Sequence, residues 1–426
     1  MKRKLRWMRL DNAAKVYPAA KRRNWNNVFR LSVTLSEPVD RTVLQSALGA
    51  TIRRFPSMAG RLRRGMFWYY LEEVPRPPKV KRDSSCPLVR MPFDDIRKCA
   101  FRVLYYRNRI AVEFFHALTD GNGGLVFLKT LTAEYLFQKY GAEIPAEDGV
   151  LDRREEPREE ELADSFPEHT GLVSRSRAEK TAFRLEGTRE EDGFKHITTG
   201  ILDVAQVLRE AKSYGVSLTT YIAAVMIWCI MGMQAEKVPK RKRQKMVKVL
   251  IPANLRKMFP SQTLRNFVLY ITPGIDPRMG AFTFPEVVRE LHHQLGLELT
   301  AKQMSARITA NVKAEQSPIL KVFPLFLKNL GVRLIYDLMG ERKSCLTISN
   351  LGAVTVPRAM EPYVCRFDFV LGVQATCPSN CAVVSYGGKL YINLIRNIKE
   401  PELERRFFTF LRSQGLHVKI ESNQRD

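Results

Sequence analysis

Apolar residues along this chain follow two periods, one near two and one near three and a half, and stretches of each alternate. Residues 28–35 (Val-Phe-Arg-Leu-Ser-Val-Thr-Leu) are rich in β-branched side chains and predict a strand. Asp40 then offers an N-cap, and Val43, Leu44, Ala47, Leu48 and Ile52 keep helical spacing up to Phe55-Pro56. Residues 65–71 predict a second strand, and a proline-rich basic loop follows to Arg82. Residues 99–106 and 109–115 read as two strands of a hairpin turned at Arg107-Asn108. Past a cluster of glycines, Leu125, Leu128, Leu131, Tyr135 and Tyr140 mark a helix ending at Gly141.

The second half repeats the alternation. A strand is expected at 196–202, a helix from Asp203, an uncharged helix from Ser217, and strands at 246–251 and 267–271. Helical patterns cover about 285–313 and 317–338. Strands return at 345–349, 363–374, 382–386 and 390–395, and a last helix runs over 401–414. Both element types recur throughout, which argues against an all-helical or an all-strand fold.

With 426 residues the chain is longer than one core usually supports. Residues 147–168 are crowded with Asp and Glu and contain Pro157 and Pro167. This segment reads as a solvated crossover linker, dividing the chain into 1–165 and 166–426. Residues 216–235 carry no charge and are long enough to span a membrane. They include Ser217, Thr219, Thr220, Tyr221, Gly232 and Gln234, which fits a buried core helix instead.

The net charge of +25 favours an anionic partner. Nucleic acid is not expected, because neither a recognisable binding module nor aromatics interleaved with basic residues are present. A phosphate-bearing cofactor and peripheral membrane contact both suit the charge. The densest basic run is 237–245, and its Lys240, Arg241, Lys242 and Arg243 could receive phosphates or form an ordinary solvated loop. The seven cysteines are odd in number, several in apolar runs, and read as reduced thiols of a cytoplasmic protein. Cys377 and Cys381 have no second Cys or His pair near them in sequence, so no metal site is expected. The basic N-terminus is not followed by an apolar stretch, so no signal peptide is expected.

One stretch concentrates chemistry. The strand 109–115 runs into His116, followed by Asp120, Gly121, Asn122, Gly123 and Gly124. A histidine delivered by a strand onto a glycine turn is a natural general base for a hydroxyl or amine. Asp120 suits a structural anchor better than a second catalytic group, and Arg256, which also follows a strand end, is its leading partner. The glycines lack the spacing of a P-loop or dinucleotide fingerprint.

His116-Ala-Leu-Thr-Asp120-Gly121 resembles the HxxxDG motif of the chloramphenicol acetyltransferase-like superfamily. That group includes plant BAHD acyltransferases, alcohol acetyltransferases and condensation domains of nonribosomal peptide synthetases. Leu10-Asp11-Asn12-Ala13-Ala14-Lys15-Val16-Tyr17-Pro18 resembles the opening of alcohol acetyltransferase-like members, and residues 55–62 (Phe-Pro-Ser-Met-Ala-Gly-Arg-Leu) resemble an early family stretch. Residues 252–256 with Asn266, and Ser349-Asn350-Leu351-Gly352, fall where later motifs occur. The resemblance implies an α/β (α+β sandwich) fold of two similar subdomains packed around a central tunnel, with His116 as the base at their junction. It implies direct attack of an acceptor on an acyl thioester, most simply an acetyl group from acyl-CoA passed to an alcohol, with no tightly bound cofactor. Ser349 and Asn350 are then the oxyanion candidates, and Lys240 to Arg243 would meet CoA phosphates or an acidic carrier protein. A carrier-protein-dependent condensation enzyme with an alcohol or amine acceptor is the alternative, as is a non-catalytic member that docks acidic partners. Phe115 stands where condensation domains usually have another histidine, and the plant group's Asp-Phe-Gly-Trp-Gly is absent. A monomer is expected.

Overall fold

The computed structural model describes residues 5–20, 27–175, 180–317, 323–335, 343–374 and 377–423. In chain order the first half holds β1 (Trp7–Arg9), α1 (Val16–Ala20), β2 (Val28–Leu35), α2 (Arg41–Thr51), β3 (Gly60–Arg64), β4 (Tyr69–Glu73), β5 (Lys81–Arg82), α3 (Phe93–Ile96), β6 (Phe101–Tyr106), β7 (Arg109–Phe115), α4 (Gly121–Tyr140) and α5 (Glu159–Leu162). The second half holds β8 (His196–Asp203), α6 (Val204–Ser213), α7 (Leu218–Lys237), β9 (Val247–Asn254), β10 (Val268–Ile271), β11 (Gly274–Ile275), α8 (Phe284–Glu298), α9 (Ala301–Gln316) and α10 (Leu325–Ile335). It closes with β12 (Leu346–Ala353), β13 (Val364–Val370), β14 (Ser379–Tyr386), β15 (Lys389–Arg396), α11 (Glu402–Ser413) and β16 (Lys419–Ser422).

Two large sheets organise these elements. A five-stranded sheet runs β13-β2-β7-β6-β5, and an eight-stranded sheet runs β10-β9-β12-β14-β15-β8-β16 with β11 paired to β9. A small sheet, β1-β4-β3, stands apart. Each large sheet has its own apolar core, one around Phe29, Phe114 and Phe127, the other around Tyr221, Phe267 and Ile392. The halves are interlocked: β13 comes from the second half yet pairs antiparallel with β2 in the first half's sheet.

The two long helices are buried over much of their circumference, α4 taking Lys129 and Glu134 inside with its apolar residues. α4 packs on α2, β2 and β7. α7 begins where the Ser217 side chain accepts the Thr220 N–H, and it packs on α8 and β9. It is long and apolar enough to cross a membrane, but 67% of its most apolar stretch is buried inside the protein.

Three expectations change. Residues 65–71 are not one strand: Gly65 N donates to Trp68 O at 2.9 Å, and this turn joins β3 to β4. The acidic crossover is not wholly solvated, because Arg54 and Glu161 form a buried two-point pair, with Arg54 Nη2 to Glu161 Oε1 at 2.7 Å, and Phe166 is fully buried. The helical pattern at 317–338 is realised as α10, and residues 318–322 and 336–338 lie outside the described residues.

Candidate active site

β7 ends at Phe115, and the next residue is held to the neighbouring chain segment by His116 N donating to Asn27 O at 2.8 Å. Four residues on, Asp120 caps α4, its Oδ1 accepting the N–H groups of Asn122 and Gly123 at 3.1 Å each. Its other oxygen faces the second half of the chain. Oδ2 accepts from Arg256 Nη1 at 2.7 Å and from Phe267 N at 2.9 Å. Four N–H donors thus occupy the carboxylate, leaving it no free direction for proton transfer. Arg256 sits just past β9 and is itself fixed, donating Nε to Thr263 O at 2.9 Å and Nη2 to Arg265 O at 2.5 Å.

The glycines make this approach sterically feasible. A Cβ on Gly123 would stand 2.1 Å from Leu264 O and 2.3 Å from Thr119 Oγ1, and Thr119 Oγ1 itself donates to Leu264 O at 2.6 Å. Because backbone atoms of the two halves meet there, Gly123→Ala must push them apart. We expect a loss of about 1–3 kcal/mol or more, the range for overpacking a dense site, read as a lower urea midpoint. An unchanged midpoint would show that this contact is looser than described. A Cβ on Gly121 would come within 2.7 Å of Leu351 Cδ2, so the segment after Asn350 also closes on this turn.

The His116 imidazole is clamped between aromatic rings. Tyr17 of α1 stacks on it with centroids 4.5 Å apart and planes at 20°, and Phe29 meets it edge-on at 5.0 Å. Nδ1 lies 3.0 Å from Asn266 Oδ1. The amide of Asn266 is oriented by its other end, since Nδ2 donates to Asp11 Oδ2 at 3.1 Å. Asp11 is fully buried; its Oδ1 accepts from Ala14 N at 2.7 Å, and Arg265 Nε lies 3.7 Å from Oδ2. Burial pushes the Asp11 carboxyl up, and Arg265 opposes that push.

This chain of contacts fixes a tautomer. Asn266 presents its carbonyl oxygen, so Nδ1 of His116 must be the donor. The lone pair is then on Nε2. Burial lowers the His116 pKa below the ordinary 6.5, more than the nearby carboxylates raise it. The residue keeps some exposure. A neutral imidazole with a free Nε2 can accept a proton at neutral pH.

Asp11 and Asn266 are 255 residues apart, and neither carries a chemical signal in the sequence beyond its place in the family-like stretches. Tyr17 is equally silent. Only the fold brings them to His116.

The other sequence candidates divide. Asn350 is committed to its own strand end: Nδ2 donates to Thr219 Oγ1 at 3.0 Å, and Oδ1 accepts from Gly352 N at 2.8 Å. The Ser349 hydroxyl is hydrogen-bonded by no described residue and is partly exposed. Lys240, Arg241, Lys242 and Arg243 are exposed and form no ion pair among the described residues. They precede β9, whereas Arg256 follows it, so about 23 Å of strand separates them. Two cavities, of about 740 Å³ beside Ser46, Gly49 and Val74 and of about 410 Å³ beside Leu185, Met233 and Leu403, are lined by residues other than His116. All seven cysteines are unpaired, and no cluster of metal-ligating side chains occurs among the described residues.

No family model and no curated protein sequence matches the chain. Solved structures do. The trichothecene 15-O-acetyltransferase TRI3 from Fusarium sporotrichioides superposes with a TM-score of 0.59 at 11% identity, over 95% of this chain and 93% of its own. The first condensation domain of the CDA synthetase gives 0.58 at 14% identity, over 96% of both chains. TRI101 from F. sporotrichioides, solved with coenzyme A and T-2, gives 0.58 at 11% identity, over 97% of this chain and 99% of its own. The chain therefore shares the mixed α/β fold of these acetyltransferase and condensation-domain structures.

Proposed function

We propose that this protein is an acyltransferase that moves an acyl group from a CoA thioester to an alcohol by direct attack. The observation that carries the reading is the 3.0 Å contact of His116 Nδ1 with the Asn266 carbonyl oxygen, which sets the tautomer. Asn266, held by Asp11, accepts the hydrogen bond from Nδ1–H and leaves the Nε2 lone pair for the acceptor. Nε2 removes the hydroxyl proton as the acceptor oxygen bonds to the thioester carbonyl carbon. The tetrahedral intermediate then collapses with C–S cleavage, and the proton on Nε2 passes to the departing thiolate. An ester and free CoA result, and no acyl-enzyme forms.

Ser349 is the better of the two oxyanion candidates, because its hydroxyl is uncommitted whereas the Asn350 side chain is used at both ends. One such donor contributes about 10²–10³ in rate. Asp120 and Arg256 take no part in proton transfer and hold the loop. The fold shared with an O-acetyltransferase and with a protein solved with coenzyme A supports the same donor. Phe115, at the position of a condensation domain's other histidine, is buried in the core and adds nothing to the chemistry.

The test is free-thiol release from a panel of acyl-CoAs, with and without added alcohols. Alcohol-dependent release supports the proposal, and release only in the presence of an acyl carrier protein would move the donor to that class. The same assay gives a pH prediction. Activity requires neutral His116, and its pKa is depressed. The acid limb of the profile should therefore be centred below pH 6.5, with more than half of the full activity retained at the pH where an ordinary histidine is half protonated. An acid limb centred above 6.5 would contradict His116 as the base.

A further inference from the structure

Helix α10 is turned the opposite way from a helix selected by water. Phe326 is 60% exposed and Leu330 56%, with Leu327 and the preceding Phe323 also exposed. These positions follow an i, i+3, i+4, i+7 pattern and form one stripe. The helix's described polar side chains point inward instead. Lys328 is buried, its Nζ donating to Phe67 O at 3.0 Å and lying 3.6 Å from the Trp68 ring centroid. Asn329 Nδ2 donates to Tyr69 OH at 3.1 Å, and Leu325 N donates to Met66 O at 3.0 Å. The helix is thus pinned by its polar face to the β3–β4 turn, and that turn adds exposed Met66 and Phe67 beside it.

A contiguous apolar surface of this kind marks a contact site. The charge around it selects the contact. Arg64, next to the turn, is exposed and forms no ion pair among the described residues. Glu72 is neutralised by Arg61 and Arg63, and Glu315 by Lys15, whose ammonium lies over Trp68. The chain as a whole carries +25. Pairing two copies through this face would bring two strongly cationic bodies together, whereas an anionic bilayer attracts one. We propose that α10 and the 65–68 turn form a membrane-docking face, with Phe326, Leu330, Met66 and Phe67 entering the headgroup–acyl boundary of an anionic phospholipid bilayer. α10 packs on α1, so the docked face adjoins the helix whose Tyr17 stacks on His116. The docking does not depend on the acyl-transfer reading.

Co-sedimentation with phospholipid vesicles tests it. The full chain should bind vesicles of mixed phosphatidylserine and phosphatidylcholine, and bind pure phosphatidylcholine more weakly. The double variant Phe326→Glu/Leu330→Glu should bind the mixed vesicles about 10²-fold more weakly, from loss of two large apolar insertions. Met66→Ser/Phe67→Ser, on a separate element, should weaken binding in the same direction. All four side chains are exposed, so the melting temperature should stay at the wild-type value. The proposal fails if the wild type does not bind the mixed vesicles, or if both variants bind them as the wild type does. It also fails if light scattering shows a wild-type dimer that the variants convert to monomer, which would assign the face to self-association.

Discussion

His116→Ala is expected to lower alcohol-dependent thiol release by about 10²–10⁴, the range a positioned general base contributes, while the protein stays folded. The two outcomes separate because the imidazole is held mainly by contacts that its neighbours survive losing. Asp11 still accepts from Ala14 N and from Asn266. Tyr17 and Phe29 lose a ring partner, a contact of about 0.5–1.5 kcal/mol each. That is small against the 5–15 kcal/mol of a typical fold. The measurement is the rate at saturating acyl-CoA and alcohol, paired with a thermal melt. A variant that transfers acyl groups at the wild-type rate would remove His116 from the mechanism. A variant that is inactive because it has unfolded would be recognised by the melt.

The periods of the apolar pattern made the elements legible, and the motif made the centre of the site legible. β2, β6, β7, α4, α7 and the terminal pair β14–β15 all lie where alternation or helical spacing puts them. The caps Asp40, Asp203 and Ser217 also behave as their residue types predict, each accepting a backbone N–H. What the pattern misses has a physical cause. The turn at 65–68 is apolar, and its Met66 and Phe67 remain exposed, so composition alone reads it as strand interior. β13 gives no sign that it belongs to the other half's sheet, because strand pairing is set by tertiary register and not by local sequence. Glu161 looks like one carboxylate in a solvated acidic run until the fold delivers Arg54 to it. The support of His116 is hidden for the same reason. Asp11 and Asn266 are ordinary polar residues, and their meaning is a distance across the fold.

Asp120→Ala is expected to cost more stability than any other single change at this site. The Arg256 and Asp120 side chains are 10% and 2% exposed, so this is a buried pair. Breaking such a pair by removing one partner costs about 3–5 kcal/mol, because the remaining charge stays desolvated. Alanine also deletes the N-cap of α4, which adds about 1 kcal/mol. The total is a large part of the stability a chain of this kind commands. Asp120→Asn separates the two contributions. Its carbonyl oxygen can still cap Asn122 and Gly123, but its NH₂ would then face the Arg256 guanidinium and the Phe267 N–H, donor against donor. Arg256→Ala should be milder than Asp120→Ala, since Asp120 would retain three backbone N–H donors. Urea unfolding should therefore rank the midpoints wild type, Arg256→Ala, Asp120→Ala from highest to lowest, with Asp120→Asn above Asp120→Ala. Activity should fall with them, because Phe267 follows Asn266 directly and a shift there releases His116 Nδ1. If Asp120→Ala unfolds within about 1 kcal/mol of the wild type, below even the isolated cost of a broken buried pair, Asp120 is not what locks the two halves together.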